Sequence, residues 1–301
     1  MTTPETHLLS AFSNQLADAV EKAAPALVQV NGRQRQPATG VVFAPQLVLT
    51  ADHVLERDSD LTIETHDGRT LAAQLVGRDP ATDLAVLRVA DLNIDPATAA
   101  QAPARVGQML LLVGRPSAGG VQASLGVASA IGGPVRSRRG AMLERYIQTD
   151  ATPYPGFSGG AMIDASGAVI GITTTGLASG VALGIPADLA WQVAETIGNH
   201  GQIKRGFLGV SSQPVPIPTA QRAGRTQERG LLIVQVEDNS PAQQAGLLVG
   251  DIVVSFDGQT VTDTDELQGL LGGDRVGRAL PLEVIRGSTL TTVQVTLGTR
   301  A

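Results

Sequence analysis

The sequence contains no cysteine, and this absence excludes several kinds of chemistry. Disulfides, thiolate metal sites and cysteine nucleophiles are all ruled out. The histidines form no HExxH motif and no other close pair of ligands; they are His7, His53, His66 and His200. We therefore expect no metal site and no cofactor.

Basic stretches and long apolar runs are also missing. The net charge is −6 and no long basic segment is present, so nucleic acid is not an expected partner. No segment approaches the ~18 apolar residues of a membrane-spanning helix. The N-terminus lacks the charge, apolar run and cleavage site of a secretory signal, which predicts a cytoplasmic protein. The alternative is a processed form of an exported chain, with a periplasmic or other extracytoplasmic location.

Aromatic residues are scarce, at 3%, whereas glycine and proline number 35 and 17. The core must therefore be built from aliphatic side chains, and turns must be frequent. About a dozen short apolar runs, such as "TGVVFA", "QLVLTA" and "AVIGITTT", follow one another before residue 186 without regular helical alternation. This pattern is typical of antiparallel β-barrels or sandwiches.

The length of 301 residues predicts two domains. Residues 1–24 form an N-terminal segment with an amphipathic helix over 4–24, and a β-rich domain over 25–198 ends in the helix "PADLAWQVAETIGN". The polar segment "NHGQIKRG", residues 199–206, is interpreted as a linker. Residues 207–299 alternate strand and helix patterns and form a small α+β domain.

Three segments of the β-rich domain carry the residues of acyl-transfer chemistry. His53 follows a strand in "VLTADHVLE", Asp83 precedes one in "DPATDLAVLRV", and Ser158 lies in "PGFSGG". A serine hydroxyl needs a histidine to accept its proton, and the histidine needs a carboxylate to orient it. Each residue alone has an ordinary structural explanation, but the order His, Asp, Ser in an all-β context is that of chymotrypsin-type double barrels.

The glycines around the serine suit the same acyl-transfer chemistry. The backbone N–H groups of Gly156 and Ser158 can point at one spot, where the oxygen of a substrate carbonyl becomes an anion. A side chain at Gly156 would hinder the turn that this requires.

These segments resemble the HtrA/Deg family of serine proteases over nearly the whole chain. The motifs are "ATGVVFAPQLVLTADHVLE", "RDPATDLAVLRV", "PGFSGGAMID" and "GVALGIPADLA". The resemblance implies a mainly β fold, with a chymotrypsin-like double six-stranded β-barrel followed by an α+β PDZ domain. It also implies that His53 is the general base, Asp83 its orienting carboxylate and Ser158 the nucleophile.

Two residues depart from the family pattern. Phe157 replaces the usual Asn before the serine and places a bulky apolar side chain beside the site. Asp52 replaces a common Ala before the histidine. A second carboxylate there would favour the imidazolium form of His53; alternatively, Asp52 points to solvent, which we favour.

The residues of the primary pocket predict the substrate specificity. In trypsin-like barrels the residue six positions before the serine forms the base of the primary pocket, and here it is Thr152, which would not select a basic side chain. Small residues would form the walls of the pocket, and cleavage after small or medium aliphatic residues is expected. The wall residues are Thr173, Thr174 and Ala182.

The second domain carries a predicted peptide site. "RGFLGV" resembles the carboxylate-binding loop of PDZ domains, and "NSPAQQAGLLVGDIVVSFDGQTV" matches the family's helix, turn and strand. The loop would bind a C-terminal carboxylate while the peptide adds as a strand. The expected site residues are Phe207, Leu208, Gly209, Val210, Leu267 and Leu271, with core packing an equal alternative for the two helical leucines.

The function expected from these features is ATP-independent endopeptidase cleavage of unfolded or misfolded polypeptides, in the manner of protein quality control. The alternative is a peptide-binding or chaperone-like protein whose protease site is weak or silent. Resemblance to the family further implies a homo-oligomer, specifically a trimer formed through the protease domains.

Overall fold

The structure is a computed structural model that describes residues 4–34, 36–117, 119–133, 135–136, 142–143, 145–178, 182–201, 206–271 and 275–299. The chain forms two compact units, Met1–Ile203 and Lys204–Ala301. The predicted linker, residues 199–206, overlaps the end of a helix at 199–200, and its residues 202–205 lie outside the described part.

The first unit begins with the predicted helix, α1, which spans Pro4–Ala23. Its buried side, with Ala19 and Ala23, packs on the protein core, while Leu8 and Leu9 on the first turns are exposed. Lys22 Nζ donates to the carbonyl of Ser166 at 3.0 Å and ties the last turn to the domain. The helix therefore docks through its C-terminal half.

Six strands close into the first barrel, in the order β1-β2-β3-β6-β5-β4. Their aliphatic side chains fill its interior, and Val42 and Val48 are fully buried there. Alternate residues of the same strands, such as Val41 and Leu49, face outwards into a second cluster. The strands are β1 Leu27–Asn31, β2 Ala38–Ala44, β3 Leu47–Ala51, β4 Leu61–Glu64, β5 Thr70–Asp79 and β6 Leu84–Arg88.

A second closed barrel has the order β11-β14-β13-β12-β7-β8. A short two-stranded ladder, β9 with β10, lies outside it. The prediction of a double six-stranded barrel is confirmed. The strands are β7 Met109–Ser117, β8 Gly120–Gly132, β9 Val135–Arg136, β10 Met142–Leu143, β11 Tyr146–Thr149, β12 Ala161–Ile163, β13 Val169–Thr174 and β14 Ala182–Pro186.

The helix α2, Ala187–His200, completes the first unit and joins the barrels. Pro186 precedes its first residue, and Gly201, with φ of 75°, ends it in the left-handed conformation that favours glycine. Its apolar face enters a cluster with outward-facing residues of both barrels, including Val86 and Ile172. This shared core fixes one barrel against the other, so loops from both can meet at one site.

The second unit is a β-sheet flanked by short helices. The sheet has the order β16-β17-β18-β20-β21, with β19 paired to β18 and a separate β15–β22 pair. The elements are β15 Gly206–Phe207, β16 Val210–Pro216, β17 Arg229–Val236, α3 Pro241–Gln244, β18 Ile252–Phe256, β19 Gln259–Thr260, α4 Thr264–Leu270, β20 Ala279–Arg286, β21 Thr289–Thr296 and β22 Gly298–Thr299. A buried aliphatic cluster around Phe256 lies beneath the helices.

Candidate active site

Strand pairing in the first barrel brings His53 and Asp83 together. β3 pairs with β6, with Ala51 opposite Leu84, so the residues just after β3 and just before β6 are neighbours. His53 lies in a 3₁₀ turn, Asp52–Val54, directly after β3. The N–H of Asp52 donates to the Asp83 carbonyl and that of His53 to Asp83 Oδ1, both at 2.9 Å.

The carboxylate of Asp83 is buried and held by directed donors. Its Oδ2 lies 2.6 Å from His53 Nδ1, and Thr174 Oγ1 donates to the same oxygen at 2.5 Å. Asp83 has no exposed surface and adopts a φ of 56°. A buried carboxylate is costly unless it is hydrogen-bonded, and these donors meet that need while orienting the imidazole.

Gly176 makes room for this pair. A Cβ atom at position 176 would lie 2.6 Å from His53 Nδ1 and 2.7 Å from Asp83 Oδ2. Real side-chain contacts are essentially never that short, so only glycine fits without displacing the pair.

The turn before Ser158 has a defined type. Phe157 N–H donates to the Tyr154 carbonyl at 3.0 Å, and Gly156 has a φ of 88°. With Pro155 at the second position and a positive φ at the third, this is a type II turn. A side chain at Gly156 would also clash, because its Cβ would lie 2.5 Å from Pro116 Cβ.

Both barrels hold the serine turn in place. Thr39, on β2 of the first barrel, donates from its hydroxyl to the Gly156 carbonyl at 2.7 Å and from its N–H to the Ser158 carbonyl at 3.2 Å. Gly159 N–H donates to Thr173 at 2.8 Å. In the described part of the chain, no protein acceptor takes the N–H of Gly156 or Ser158. Both donors are therefore available to a substrate oxygen.

The hydroxyl of Ser158 has a partner other than the imidazole. Ser158 Oγ lies 3.0 Å from Thr175 Oγ1, and within the described residues it makes no hydrogen bond to His53. The serine hydroxyl must form a hydrogen bond with the imidazole before the histidine can accept its proton. The nucleophile is thus assembled with its neighbours but is turned towards Thr175.

Phe157 points into the second barrel. Its side chain is 1% exposed and belongs to the interior cluster with Ile147 and Met162. The ring makes an edge-to-face contact with Tyr154, at 5.3 Å between centroids, and covers Gly114, where a Cβ would be 2.6 Å from the ring. The expectation of a bulky group beside the site is wrong, because the Phe157 side chain is buried in the interior of the second barrel, where it anchors the serine turn.

Asp52 is buried and paired, which corrects the expectation that it points to solvent. Its side chain is 7% exposed, and its Oδ1 lies 3.0 Å from Arg78 Nη1. The sequence could not show this partner, because Arg78 lies on β5, two strands away in the barrel order.

The residues predicted to form the specificity pocket are in different environments. Thr152 is exposed, and its N–H donates to Ser124 Oγ at 2.9 Å. Thr173 and Ala182 are buried on β13 and β14, and the Thr173 hydroxyl has no hydrogen-bond partner among the described residues. Thr174 directs its hydroxyl to Asp83 rather than to a pocket, because alternate residues of β13 face opposite sides.

The second unit presents a loop with free N–H groups. The carbonyls of Leu208 and Gly209 accept from Ala242 and Glu237, both at 2.9 Å, whereas the N–H groups of the same two residues meet no protein acceptor in the described part. Gly209 has a φ of 81°, and a Cβ there would lie 2.2 Å from the Ser240 Cβ.

An open sheet edge begins directly after this loop. Val210 starts β16, an edge strand of the sheet, and α4 lies beside it. Phe207 pairs with Gly298 on β22. Leu267 of α4 is buried in the domain core, and Leu271 is half-buried against it. Of the two leucines, only Leu271 retains appreciable exposed surface for a ligand.

Fold and site together define a chymotrypsin-like serine protease unit followed by a PDZ unit. The match to known families agrees: residues 38–172 match the trypsin-like peptidase domain and residues 206–297 match the PDZ domain. The chain belongs to the HtrA/Deg family of PDZ-containing serine proteases.

Solved structures of this family are similar along the whole chain. The HtrA-type protease AlgW with tripeptide has 33% identity and a TM-score of 0.78, covering 95% of this chain and 97% of AlgW. The serine endoprotease from Yersinia pestis has 29% identity and a TM-score of 0.80, covering 96% and 98%.

Curated relatives are longer. A probable periplasmic serine endoprotease, DegP-like, from Halomonas elongata is 36% identical over 83% of this chain and 54% of the relative. The corresponding protein of Pseudomonas fluorescens is 33% identical over 86% and 55%. The chain spans about half the length of these relatives.

The same comparison corrects the predicted location. These relatives are named periplasmic, so the expectation of a cytoplasmic protein, which rested on a missing signal pattern, is wrong. Within the described residues, no helix is both long and apolar enough to span a membrane.

Proposed function

We propose that this protein is a serine endopeptidase that cleaves unfolded or misfolded polypeptides. The observation that carries the proposal is that Asp83 orients His53, with 2.6 Å between Asp83 Oδ2 and His53 Nδ1. In addition, the N–H groups of Gly156 and Ser158 have no protein acceptor in the described part of the chain. His53 would accept the Ser158 proton as the hydroxyl attacks, and would return it to the leaving amine. The free N–H groups would stabilise the oxyanion.

A substrate in two states tests this activity. A small protein that unfolds when its disulfides are reduced and carboxymethylated would be supplied in that form and in its folded form. We expect fragments from the unfolded form only, and none with the Ser158→Ala variant. Cleavage that persists in Ser158→Ala preparations would contradict the assigned nucleophile.

For primary specificity we propose small or medium aliphatic residues. The support is that the predicted pocket residues are uncharged: Thr152, Thr173 and Ala182 offer no carboxylate to a basic side chain of the substrate. A library of peptides with one varied position before the scissile bond tests this. Predominant cleavage after Arg or Lys would show that the pocket is assigned incorrectly.

We further propose that the PDZ unit binds C-terminal peptide ends. The free N–H groups of Leu208 and Gly209 would hold the carboxylate, and the edge of β16 would pair with the peptide. Fluorescence anisotropy with a peptide ending in an aliphatic residue, and with its C-terminal amide as the matched control, tests this. Equal affinity for the two peptides would exclude carboxylate recognition.

One observation supports the second candidate, a peptide-binding protein with a weak or silent protease site. Ser158 Oγ is hydrogen-bonded to Thr175 Oγ1, and among the described residues it has no hydrogen bond to His53. A fluorophosphonate probe separates the two candidates, because it reacts only with an activated serine. If well-folded protein stays unlabelled even when a C-terminal peptide is added to occupy the PDZ unit, the result would favour the peptide-binding protein with a silent protease site.

We propose a homotrimer formed through the protease units. The exposed apolar residues of α1 support self-association: Leu8 is 71% exposed, Leu9 72% and Phe12 41%. Sedimentation velocity of the intact chain and of a Leu8→Asp/Leu9→Asp variant tests this. We expect a trimer and a monomer respectively, and a monomeric parent chain would rule the proposal out.

A further inference from the structure

A second carboxylate stands next to the proposed general base. Asp52 directly precedes His53, and its side chain is almost as buried as that of Asp83. An unpaired charge at this position would act on the same imidazole as Asp83. The structure instead pairs it with Arg78, with 3.0 Å between Asp52 Oδ1 and Arg78 Nη1.

The same guanidinium also holds the backbone around the histidine. Arg78 Nη1 donates to the Leu55 carbonyl at 3.0 Å, and Nη2 donates to the Arg57 carbonyl at 3.3 Å. Nη2 further contacts the exposed carboxylate of Asp58. The fixed fork of an arginine suits such multiple acceptors. Asp83 thus holds the turn that carries His53 by accepting from the backbone N–H groups of the turn. Arg78 holds the segment after the turn by donating to its carbonyls.

The described elements that carry His53, Asp83 and Arg78 also carry other charged groups. On β5, Asp79 is buried, but its carboxylate is occupied by Thr82 Oγ1 at 2.6 Å and by the Ala81 N–H. The serine turn and the β13 end contribute hydroxyl groups and backbone only. The charged groups to consider are Asp52 from its own turn, Glu56, Arg57 and Asp58 from the following loop, Arg78 and Asp79 from β5, and Asp83 before β6.

We propose that Arg78 is a positioning residue of the active site: it cancels the charge of Asp52 and fixes the His53 turn, so that Asp83 alone controls the ionisation of the imidazole. This inference rests on the proposed protease function. Without Arg78, two buried carboxylates would stabilise the imidazolium, and a higher pH would be needed to free the base.

The rate of fluorophosphonate labelling of the intact chain, measured from pH 5 to 10, tests the inference. We expect Arg78→Met to move the acidic limb of the profile up by about one pH unit, which slows labelling by about tenfold at pH values well below the limb and leaves the plateau rate unchanged. Adding Asp52→Asn to Arg78→Met returns the limb to its original position. Arg78→Lys keeps the charge, so the limb stays in place while the plateau falls.

A matched control uses another arginine of the same barrel. Arg69 pairs with Asp67 at 2.7 Å and donates to the carbonyls of Asp91 and Leu92, so it resembles Arg78 in its bonds but is remote from His53. Hydrogen bonds from Thr65 and Arg69 lower the pKa of Asp67 to about 2. Arg69→Met should leave the limb unmoved.

Each remaining outcome has a clear meaning. A uniform loss of rate in Arg78→Met with an unmoved limb would reduce Arg78 to a structural residue and overturn the inference. A limb that stays displaced in the double variant would remove Asp52 as its cause. If Arg78→Met does not fold, Asp52→Asn alone must shift the limb to lower pH, because the arginine charge is then uncompensated. If the parent chain is never labelled, the proposed function fails, whereas ¹⁵N NMR titration of the His53 ring in the same variants still tests the charge pairing.

Discussion

The hydroxyl of Thr39 donates a 2.7 Å hydrogen bond to the carbonyl of Gly156, and so joins the first barrel to the serine turn of the second. The same hydroxyl accepts from the N–H of Arg115 at 2.9 Å. Burial lowers the pKa of the Arg115 guanidinium, against the opposing charge of Glu64, and its Nε donates to the Leu27 carbonyl. The peptide plane that Thr39 holds links Gly156 to Phe157, and it directly follows the plane that carries the Gly156 N–H, the proposed oxyanion donor.

Replacing Thr39 with the isosteric valine tests the hydrogen bond to the Gly156 carbonyl. The Gly156 carbonyl and the Arg115 N–H would lose a buried partner, which costs about 1–3 kcal/mol of stability. We expect kcat/KM to fall by roughly 10- to 100-fold, less than the ~10²–10³ for outright loss of an oxyanion donor. Thr65→Val is the matched control, because the buried hydroxyl of Thr65 accepts from Arg69 far from the site. If Thr39→Val keeps full activity, the hydrogen bond from Thr39 to the Gly156 carbonyl is not needed to hold the serine turn in its active shape.

Gly176→Ala should disable the histidine. The added Cβ would lie 2.6 Å from His53 Nδ1, so the imidazole must leave Asp83. We expect fluorophosphonate labelling to slow at least ~100-fold, since the loss of orientation resembles the loss of a triad member. In Gly198→Ala, on α2, the nearest atom is an ordinary 3.5 Å away, and labelling should be unchanged. A fully reactive Gly176→Ala protein would show that the His53–Asp83 contact is dispensable.

Thr175→Val should accelerate the nucleophile. When Ser158 is the donor in its 3.0 Å hydrogen bond with Thr175, the serine proton is directed away from His53, and a hydrogen bond of this kind is worth about 1 kcal/mol. Its removal predicts labelling about fivefold faster at pH 8 and a melting temperature about 2–4 °C lower. Slower labelling would mean that Thr175 assists the serine.

The PDZ unit depends on a buried carboxylate of its own. Asp251 is 1% exposed on its side chain and accepts from Arg286 Nε and Nη2 at 2.8 and 2.7 Å. The hydrogen bond to Asp251 raises the pKa of Arg286. Arg286→Gln removes the ion-pair partner of Asp251 and leaves it the Leu248 N–H at 2.9 Å, so we expect the free energy of unfolding of this unit to fall by about 1–3 kcal/mol. Arg229→Gln, at an exposed position, is the control, and equal melting of both variants would argue against a stabilising pair.

The chemistry-bearing residues could be proposed from sequence because each occupies a short, distinctive segment. The strand pattern around "VLTADHVLE" and "DLAVLRV" also predicts a β-barrel, since both strands are buried on two faces. What no local pattern could show is contact over long separations. Thr39 and Gly156 are 117 residues apart, and Asp52, in the turn after β3, is 26 residues from Arg78 on β5, a strand that does not pair with β3.

Side-chain direction is the second property that the sequence alone could not predict. Phe157 adjoins the serine in sequence, but it faces the barrel interior, whereas Ser158 faces the site. Thr173 and Thr174 are neighbours in the predicted pocket, but the alternation of side chains along β13 directs the hydroxyl of Thr174 to Asp83. Residues that are adjacent in sequence therefore lie close together, but their side chains can point in opposite directions.

The most direct measurement is fluorophosphonate labelling of the intact chain, with the modified residue mapped by mass spectrometry. We expect one phosphonyl group per chain, attached to Ser158 and absent in His53→Ala, because the hydroxyl reacts only when the imidazole takes its proton. Labelling at another residue, or labelling of Ser158 that persists at the same rate without His53, would contradict a His53–Asp83–Ser158 protease site.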